Sequence, residues 1–203
     1  MKENIRETRF PNGLTILSDK MADVRSATVG FWYRVGSRDE PAHLNGISHF
    51  IEHAVFKGTA KRNALDIAIE TDRLGGNFDA FTMHEQTTFT MKVIDTALPQ
   101  AFDLLADMLS APLFDEAELR REQKVIIEEM KMVEDSPEEY LGEIFQKNFF
   151  PGSALGLPIE GTPESVLTFD HQTTAAYHHE NFHSGNLIIA AAGNIEHEQV
   201  VEL

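Results

Sequence analysis

Hydrophobic and polar positions follow two different periods along this chain, and together they predict strands interspersed with helices. Short apolar or alternating runs are typical of strands, and they are bounded here by turn residues. Pro11-Asn12-Gly13 predicts the turn of a hairpin. The segments with strand character are that hairpin at 9–18 and the runs at 27–37, 78–82, 87–94 and 186–195.

Other segments repeat their apolar residues at helical spacing. The predicted helices span 64–76, 97–109, 115–135 and 173–182, and a further helix begins at 197 and reaches the last residue, 203. Gly75-Gly76 predicts a helix stop, and Ser136 with Pro137 and Glu139 predicts a capping box where a new helix starts. The stretch 151–165 is predicted to be a long loop in which Thr162-Pro163 opens another turn. The pattern predicts one α+β domain over 1–203, with a sheet packed against helices.

Composition narrows the function classes. The chain has 203 residues and no cysteine, which excludes disulfides, thiolate zinc ligands and a cysteine nucleophile. The polar N-terminus is not a secretory signal, and no apolar run reaches the roughly 18 to 20 residues that span a bilayer. We therefore expect a soluble, cytoplasmic protein without a membrane partner.

The formal net charge is −16, and no basic cluster is present. A nucleic-acid partner is not expected, because such proteins need a basic face. The acidity has two interpretations, a well-solvated surface or an acidic cleft that attracts cationic peptides. Composition alone does not distinguish them.

The segment HFIEH holds two histidines four residues apart, with a glutamate next to the second. On a helix, His49 and His53 share one face, so both imidazoles can point at one ion. Glu52 flanks that face, where a carboxylate can take a proton from water and pass it to a leaving amine. The order HxxEH reverses the HExxH of many metalloproteases. The alternative is a pair of partly exposed histidines beside a solvated glutamate.

A metal site of this kind needs a third ligand, and the helix at 115–135 offers candidates. Glu122 and Glu129 are seven residues apart and share a face, and Glu118 lies one turn earlier on the same stripe. A glutamate at the border of a buried stripe needs a partner, which an ion would provide. The alternative is a surface helix whose glutamates pair with its own basic residues.

Several motifs resemble one family, the M16 metallopeptidases, over nearly the whole chain. Its signature is HxxEH followed about 75 residues later by a helical glutamate, and 75 residues lie here between His53 and Glu129. The segments FPNGLTIL, GSRDE, HFIEHAVFKGT, GGNFDAFT with EQTTF, REQKVIIEEM and GLPIEGTPESV are also similar to the family. The resemblance implies the LuxS/MPP-like metallohydrolase fold, with a mixed, largely antiparallel sheet.

The resemblance also implies roles for five residues around a zinc ion. His49, His53 and Glu129 match the zinc (Zn2+) ligands, Glu52 the general base, and Glu122 a glutamate that supports the site. The implied activity is a zinc metalloendopeptidase that hydrolyses extended peptides. One alternative is a non-catalytic partner or scaffold subunit, which the family also contains. Another is a hydrolase that uses the same zinc chemistry on a small molecule.

The strand Asp79, Ala80, Phe81 and Thr82 matches the family's substrate-binding edge, where the peptide substrate adds as an extra strand. The alternative is that this strand is an ordinary edge of the sheet with no role in substrate binding. Many members have Asn where this chain has Asp79, and an ionised Asp lacks the side-chain donor of Asn. Nearby His84 either lines the same cleft or belongs to an ordinary turn. His178 and His179 are expected to be structural rather than a second metal site.

The chain departs from the family pattern in its length as well as at Asp79. Members are about twice as long and carry a second homologous domain, which supplies an Arg and a Tyr that help to bind substrate and stabilise the oxyanion. The resemblance implies that this chain is the N-terminal, metal-bearing half. Its expected partners are a homologous C-terminal domain or partner subunit, and a homo-oligomer is possible.

Overall fold

The computed structural model describes residues 4–203 and places the strands of that range in one mixed sheet. The strand order is β1-β2-β6-β3-β5-β4. The parallel pair is β2 with β6, and the other neighbours are antiparallel. The strand bounds are β1 Ile5–Arg9, β2 Thr15–Lys20, β3 Ser26–Tyr33, β4 Asn77–Thr82, β5 Thr87–Ile94 and β6 Leu187–Gly193. The expected mixed, largely antiparallel α+β fold is therefore confirmed.

Eight α-helices accompany this sheet within residues 4–203. Their bounds are α1 Ile47–Ala54, α2 Ala64–Leu74, α3 Leu98–Ser110, α4 Glu116–Asp135, α5 Pro137–Phe149, α6 Pro163–Val166, α7 His171–Asn181 and α8 His197–Glu202. Within residues 4–203, none of these helices combines the length and the apolar composition that crossing a membrane requires.

The core lies where β3 and β5 pack against α1 and α3. Ala27, Val29, Phe31 and Tyr33 alternate along β3 and are all buried, which is the period-two pattern of a strand with one face inward. In α3 the buried apolar residues recur at helical spacing and cover this face. Each fully buried large side chain contributes roughly 1.5–3 kcal/mol. The core therefore fixes α1 against the sheet.

The predicted element types are confirmed, whereas some predicted strand bounds and the capping box at Ser136 are wrong. The hairpin turns at Gly13, and α2 stops at Gly75 in the left-handed region, with φ of 62°. The capping box at Ser136 does not form, because the Ser136 side chain accepts no capping hydrogen bond. Ser136 is both the C-cap of α4 and the N-cap of α5, and its backbone N–H donates a hydrogen bond to Val133 O. The 151–165 loop contains a 3-10 turn at Ala154–Gly156 and the start of α6.

The N-terminus of α1 is held by a buried carboxylate. Glu40 accepts hydrogen bonds from the backbone N–H groups of Gly46 and Ser48 at 2.7 and 2.8 Å, and from the Asn45 side chain. Burial raises the pKa of Glu40 to about 7, and these donors oppose that rise. Because free N–H groups at a helix start need acceptors, Glu40 satisfies them and fixes the direction in which α1 points.

Candidate metal centre

Two helices bring three of the predicted ligands together. His49 and His53 lie one turn apart on α1, and Glu129 faces them from α4. Glu129 Oε2 lies 3.5 Å from His53 Nε2 and 4.0 Å from His49 Nε2, and one ligand atom from each residue lies within 4.8 Å of the others. Ligands 2.0–2.1 Å from a tetrahedral ion are separated by about 3.3 Å. The three side chains therefore fit a shared metal ion.

His49 is suited to act as a metal ligand. The side chain is buried, and its Nδ1 has no hydrogen-bond partner among the described residues. Burial, together with the neighbouring His53, lowers the pKa of His49 to about 3. The ring is therefore neutral at physiological pH, which is the form that binds metals.

His53 is oriented through its second ring nitrogen. Glu122 Oε2 lies 3.3 Å from His53 Nδ1, and this leaves Nε2 directed towards Glu129. Burial lowers the pKa of His53, but the hydrogen bond to Glu122 and the charges of Glu129 and Glu52 outweigh it and raise the pKa overall. The pKa of Glu122 is lowered, because hydrogen bonds from His53 and Lys57 outweigh the opposing effect of burial. A carboxylate behind a ligating histidine is the usual arrangement in metal sites.

Glu52 lies beside the three candidate ligands in a cavity of about 290 Å³. It is 8% exposed, and one carboxylate oxygen accepts a hydrogen bond from Thr82 Oγ1 at 2.5 Å. Burial raises the pKa of Glu52, although the hydrogen bond from Thr82 opposes this. A raised pKa makes a carboxylate a stronger base, which suits it to take a proton from water.

The predicted substrate strand is β4, at one edge of the sheet. Ala80, Phe81 and Thr82 line the cavity together with His49 and Glu52. Strand β5 pairs with one side of β4, and its other side has no neighbouring strand in residues 4–203. This side of β4 is therefore open beside the candidate metal site.

Asp79 is placed differently from its neighbours on β4. It is exposed and does not line the cavity, and its carboxylate accepts a hydrogen bond from Asn77 Nδ2 on the same strand face. Successive residues of a strand face opposite ways, so Thr82 and Asp79, three residues apart, point to different sides of β4. Asp79 therefore shares the edge strand with the site but directs its side chain elsewhere.

Sequence reasoning missed two residues at the site. Lys57 pairs with Glu122, four residues after His53. Glu160 lines the cavity, where burial and the charges of Glu129 and Glu143 raise its pKa to about 7. Both belong to segments that resemble the family, FKGT and GLPIEGT, but nothing in their spacing assigns them to the site. Three glutamates line this cavity, so part of the acidic excess lies there.

The other histidines lie apart from this cavity. His84 Nδ1 is bonded to Ser37 Oγ at 2.7 Å, in the turn between β4 and β5, and does not line the cavity. His178 Nε2 is bonded to the Leu109 carbonyl at 3.0 Å, which fits a structural role. Within residues 4–203 one group of three side chains has metal-binding geometry, and it contains neither His178 nor His179. A larger hollow of about 610 Å³ beside α7 contains none of the predicted site residues.

Comparison with known proteins finds relatives over most of this chain. The sequence model of the family described as Insulinase (Peptidase family M16) matches residues 15–163. An uncharacterised zinc protease of Streptomyces coelicolor is 41% identical over 197 residues, which cover 97% of this chain and 43% of that protein. The chain spans about half the length of the curated relatives it matches.

Solved structures share the fold. A protease from Helicobacter pylori superposes with a TM-score of 0.91 at 23% identity, covering 98% of this chain and 48% of that one. A structure described as a peptidase M16 inactive domain from Pseudomonas fluorescens superposes with a TM-score of 0.89 at 16% identity, covering 97% and 48%. The family match, the 41% identical relative and the shared fold lead to one conclusion: this chain belongs to peptidase family M16.

Proposed function

We propose that this chain is the metal-bearing part of a zinc-dependent endopeptidase. The observation that carries the proposal is the convergence of His49, His53 and Glu129 beside the carboxylate of Glu52. Two imidazoles and one carboxylate are a ligand set that zinc takes in catalytic sites. The relative in Streptomyces coelicolor is named a zinc protease, which supports the choice of metal.

His49 and His53 would hold the zinc ion through their ring nitrogens, and Glu129 through its carboxylate. Zinc supplies Lewis-acid chemistry that polarises a peptide carbonyl and makes water more acidic. The ligand atom of His49 would be Nε2, which faces Glu129, while Nδ1 is the ring nitrogen without a hydrogen-bond partner among the described residues. The carboxylate of Glu122 behind His53 keeps that ring in a fixed orientation.

Glu52 would act as the general base and then as the general acid. It accepts a proton from the attacking water, whose oxygen bonds to the peptide carbonyl carbon. The carbon–nitrogen bond then breaks, and Glu52 returns the proton to the leaving amine. Thr82 occupies one oxygen of the Glu52 carboxylate through its hydrogen bond, which leaves the other oxygen free for this transfer.

The substrate would be an extended peptide that adds to the open edge of β4. Backbone hydrogen bonds to an edge strand read the main chain rather than the side chains, so they tolerate many sequences. The cavity begins at Ala80, Phe81 and Thr82, so a peptide paired with β4 passes directly over Glu52 and the candidate ligands. This placement favours peptides over small amides as substrates.

Cleavage by this chain is proposed to require a homologous second domain or partner subunit. The support is that the matched relatives are about twice as long. The alternative function is a non-catalytic M16 subunit, and the fold is shared with a structure described as an inactive domain. The intact set His49, Glu52, His53 and Glu129 favours the catalytic function.

The test compares the parent chain with Glu52→Gln and with Glu128→Gln, a control at an exposed glutamate of α4 that pairs with Lys131. Zinc stoichiometry and cleavage of an unstructured peptide are measured, with the chain alone and mixed with a homologous second half. We expect about one zinc in all three proteins. We also expect Glu52→Gln to lose at least about a hundredfold in cleavage rate. The proposal would be contradicted if the parent bound no zinc, or if the Glu52→Gln variant cleaved the peptide as fast as the parent.

A further inference from the structure

We infer that Lys57 is a positioning residue for the metal centre, which acts on His53 through the carboxylate of Glu122. The inference rests on the proposed function, because it assigns Lys57 a role in holding the zinc site. It adds a residue to which neither the family match nor the motif HFIEH gives a role. Three observations carry it, namely the contact geometry, the burial of Glu122 and the charge balance of the site.

The contacts form a chain of three side chains. Lys57 Nζ lies 2.7 Å from Glu122 Oε1, and Glu122 Oε2 lies 3.3 Å from His53 Nδ1. The two carboxylate oxygens therefore have different partners, an ammonium group on one side and an imidazole on the other. Because each oxygen is fixed, the carboxylate cannot rotate without breaking a contact. The orientation of the His53 ring consequently depends on Lys57 as well as on Glu122.

Local structure places Lys57 at this position. Helix α1 ends at Ala54 and continues as a 3-10 turn over Val55–Lys57. Lys57 follows His53 by four residues, so its side chain returns to the face of α1 that bears the ligands. Gly58 follows with φ of 137°, a conformation that non-glycine residues rarely adopt, and turns the chain away. The turn thus ends with Lys57 directed at α4.

Burial makes the partner of Glu122 energetically important. The Glu122 side chain is 6% exposed, and that of Lys57 is 27% exposed. A buried carboxylate is stable in its charged form only when it is paired and hydrogen-bonded. The partly exposed Lys57 keeps contact with water while its ammonium group reaches the buried oxygen, as long lysine side chains commonly do. Removing the ammonium group would leave one buried oxygen of Glu122 without a partner.

The charge balance of the site points the same way. Glu52, Glu122 and Glu129 place three carboxylates around the two histidines. Within residues 4–203, Lys57 is the one lysine or arginine that forms an ion pair with any of these three carboxylates. Without it, Glu122 would rotate towards solvent or towards another donor and would release His53. A carboxylate behind a ligating histidine typically changes metal affinity by 10- to 100-fold when it is disturbed.

The experiment measures zinc affinity by competition with a chromophoric chelator, so it does not depend on peptide cleavage. The variants are Lys57→Met, which keeps the side-chain length, and Lys57→Arg, which keeps the charge and donors. Lys61→Met is the matched control, because Lys61 pairs with the buried Asp107 in a separate network. We expect Lys57→Met to weaken zinc binding 10- to 100-fold. Lys57→Arg should stay within a few-fold of the parent, and Lys61→Met should not differ from it.

A double-mutant cycle tests the route of the effect. If Lys57 acts through Glu122, Lys57→Met should weaken zinc binding little further in a Glu122→Gln background. The inference would be overturned if the two substitutions reduced zinc affinity independently, so that their effects multiplied in the double variant. It would also be overturned if the zinc affinity of Lys57→Met lay within twofold of that of the parent. A parent that binds no zinc would overturn both this inference and the proposed function. Circular dichroism checks folding, and Lys57→Gln replaces Lys57→Met if the latter does not fold.

Discussion

Thr82 Oγ1 donates a hydrogen bond to Glu52 Oε2 over 2.5 Å, and so joins the last residue of the edge strand β4 to a carboxylate on α1. The residues are thirty positions apart in sequence. Glu52 is buried and has no other hydrogen-bond partner among the described residues that fixes its carboxylate. The strand proposed to bind substrate therefore also orients the proposed general base.

The first prediction concerns this hydrogen bond. Thr82→Val keeps the shape of the side chain and removes its hydroxyl, so the Glu52 carboxylate is free to rotate. A hydrogen bond to a charged group contributes about 1.5–3 kcal/mol, so we expect kcat to fall about 10- to 100-fold with a smaller change in KM. Steady-state peptide cleavage measures both constants. Thr82→Ser retains the hydroxyl and should recover most of the rate. Equal losses in the Val and Ser variants would show that the hydroxyl is not responsible.

The second prediction concerns peptide addition to β4. In a two-stranded pairing, the N–H groups of alternate residues face the neighbouring strand. N-methylation at successive positions of an inhibitory peptide should therefore weaken binding with a period of two. Each sensitive position should lose several-fold to about tenfold in affinity, the equivalent of one hydrogen bond. Fluorescence anisotropy with Glu52→Gln, which should not cleave the peptide, measures these affinities. Uniform losses along the peptide would argue against strand addition.

Much of the fold was predictable because local patterns and tertiary packing agree. The alternation in β3 and the helical stripe of α3 mark the residues that the core buries. The prediction for 27–37 ran past the end of β3 at Tyr33. The chain beyond it leaves the sheet but stays bonded to the β4–β5 turn, since the backbone N–H of Ser37 donates to Met83 O. Apolar Val35 in that loop is buried, so hydrophobicity alone does not separate it from a strand.

The candidate site was predictable only in part. The spacing of His49 and His53 predicts that they share a helical face, but residue patterns alone left several glutamates as the third ligand. Resemblance to the family selected Glu129, and the structure places it next to both rings. The contacts of Glu122 with Lys57 and of Glu52 with Thr82 join different elements. Such contacts depend on how α1, α4 and β4 pack together, and the spacing of residues within one helix or strand does not predict that packing.

The third prediction concerns acid stability and rests on His178. Burial lowers the pKa of His178 to about 4, with a smaller lowering by His179 and an opposing hydrogen bond to the Leu109 carbonyl. An unfolded histidine binds a proton near pH 6.5. Between pH 6.5 and 4 the unfolded chain therefore binds the proton more readily, and stability falls as the pH falls. This one group contributes a slope of up to about 1.4 kcal/mol per pH unit.

Urea unfolding at several pH values, with a chelator present, measures this slope. His178→Gln removes the titrating group and should reduce the loss of stability between pH 6.5 and 4. It should also lower stability at pH 7, because His178 packs between Phe114 and Phe182. His43→Gln, at an exposed position, is the control and should leave the slope unchanged. A His178→Gln slope equal to that of the parent would contradict the assignment.

The last prediction concerns the glycine at the start of α1. Gly46 has φ of 95°, and a Cβ added there would lie 2.4 Å from Glu160 O and 2.7 Å from Gly161 Cα. Gly46→Ala therefore combines an unfavourable backbone conformation, which costs about 1–2 kcal/mol, with a clash against backbone atoms that cannot move independently. We expect a loss of at least about 2 kcal/mol in the free energy of unfolding, which corresponds to roughly 4–8 °C in Tm. Relief of the clash would push α1 away from the loop that bears Glu160, so zinc affinity should fall as well.

Gly142→Ala is the matched control, because a Cβ at this position in α5 meets nothing within 4 Å. That variant should gain about 0.5–1 kcal/mol, since alanine is the better helix former. Calorimetry of the metal-free proteins compares the two, and a Gly46→Ala protein as stable as the parent would show that α1 and the 160–161 backbone are not held as tightly as the structure indicates.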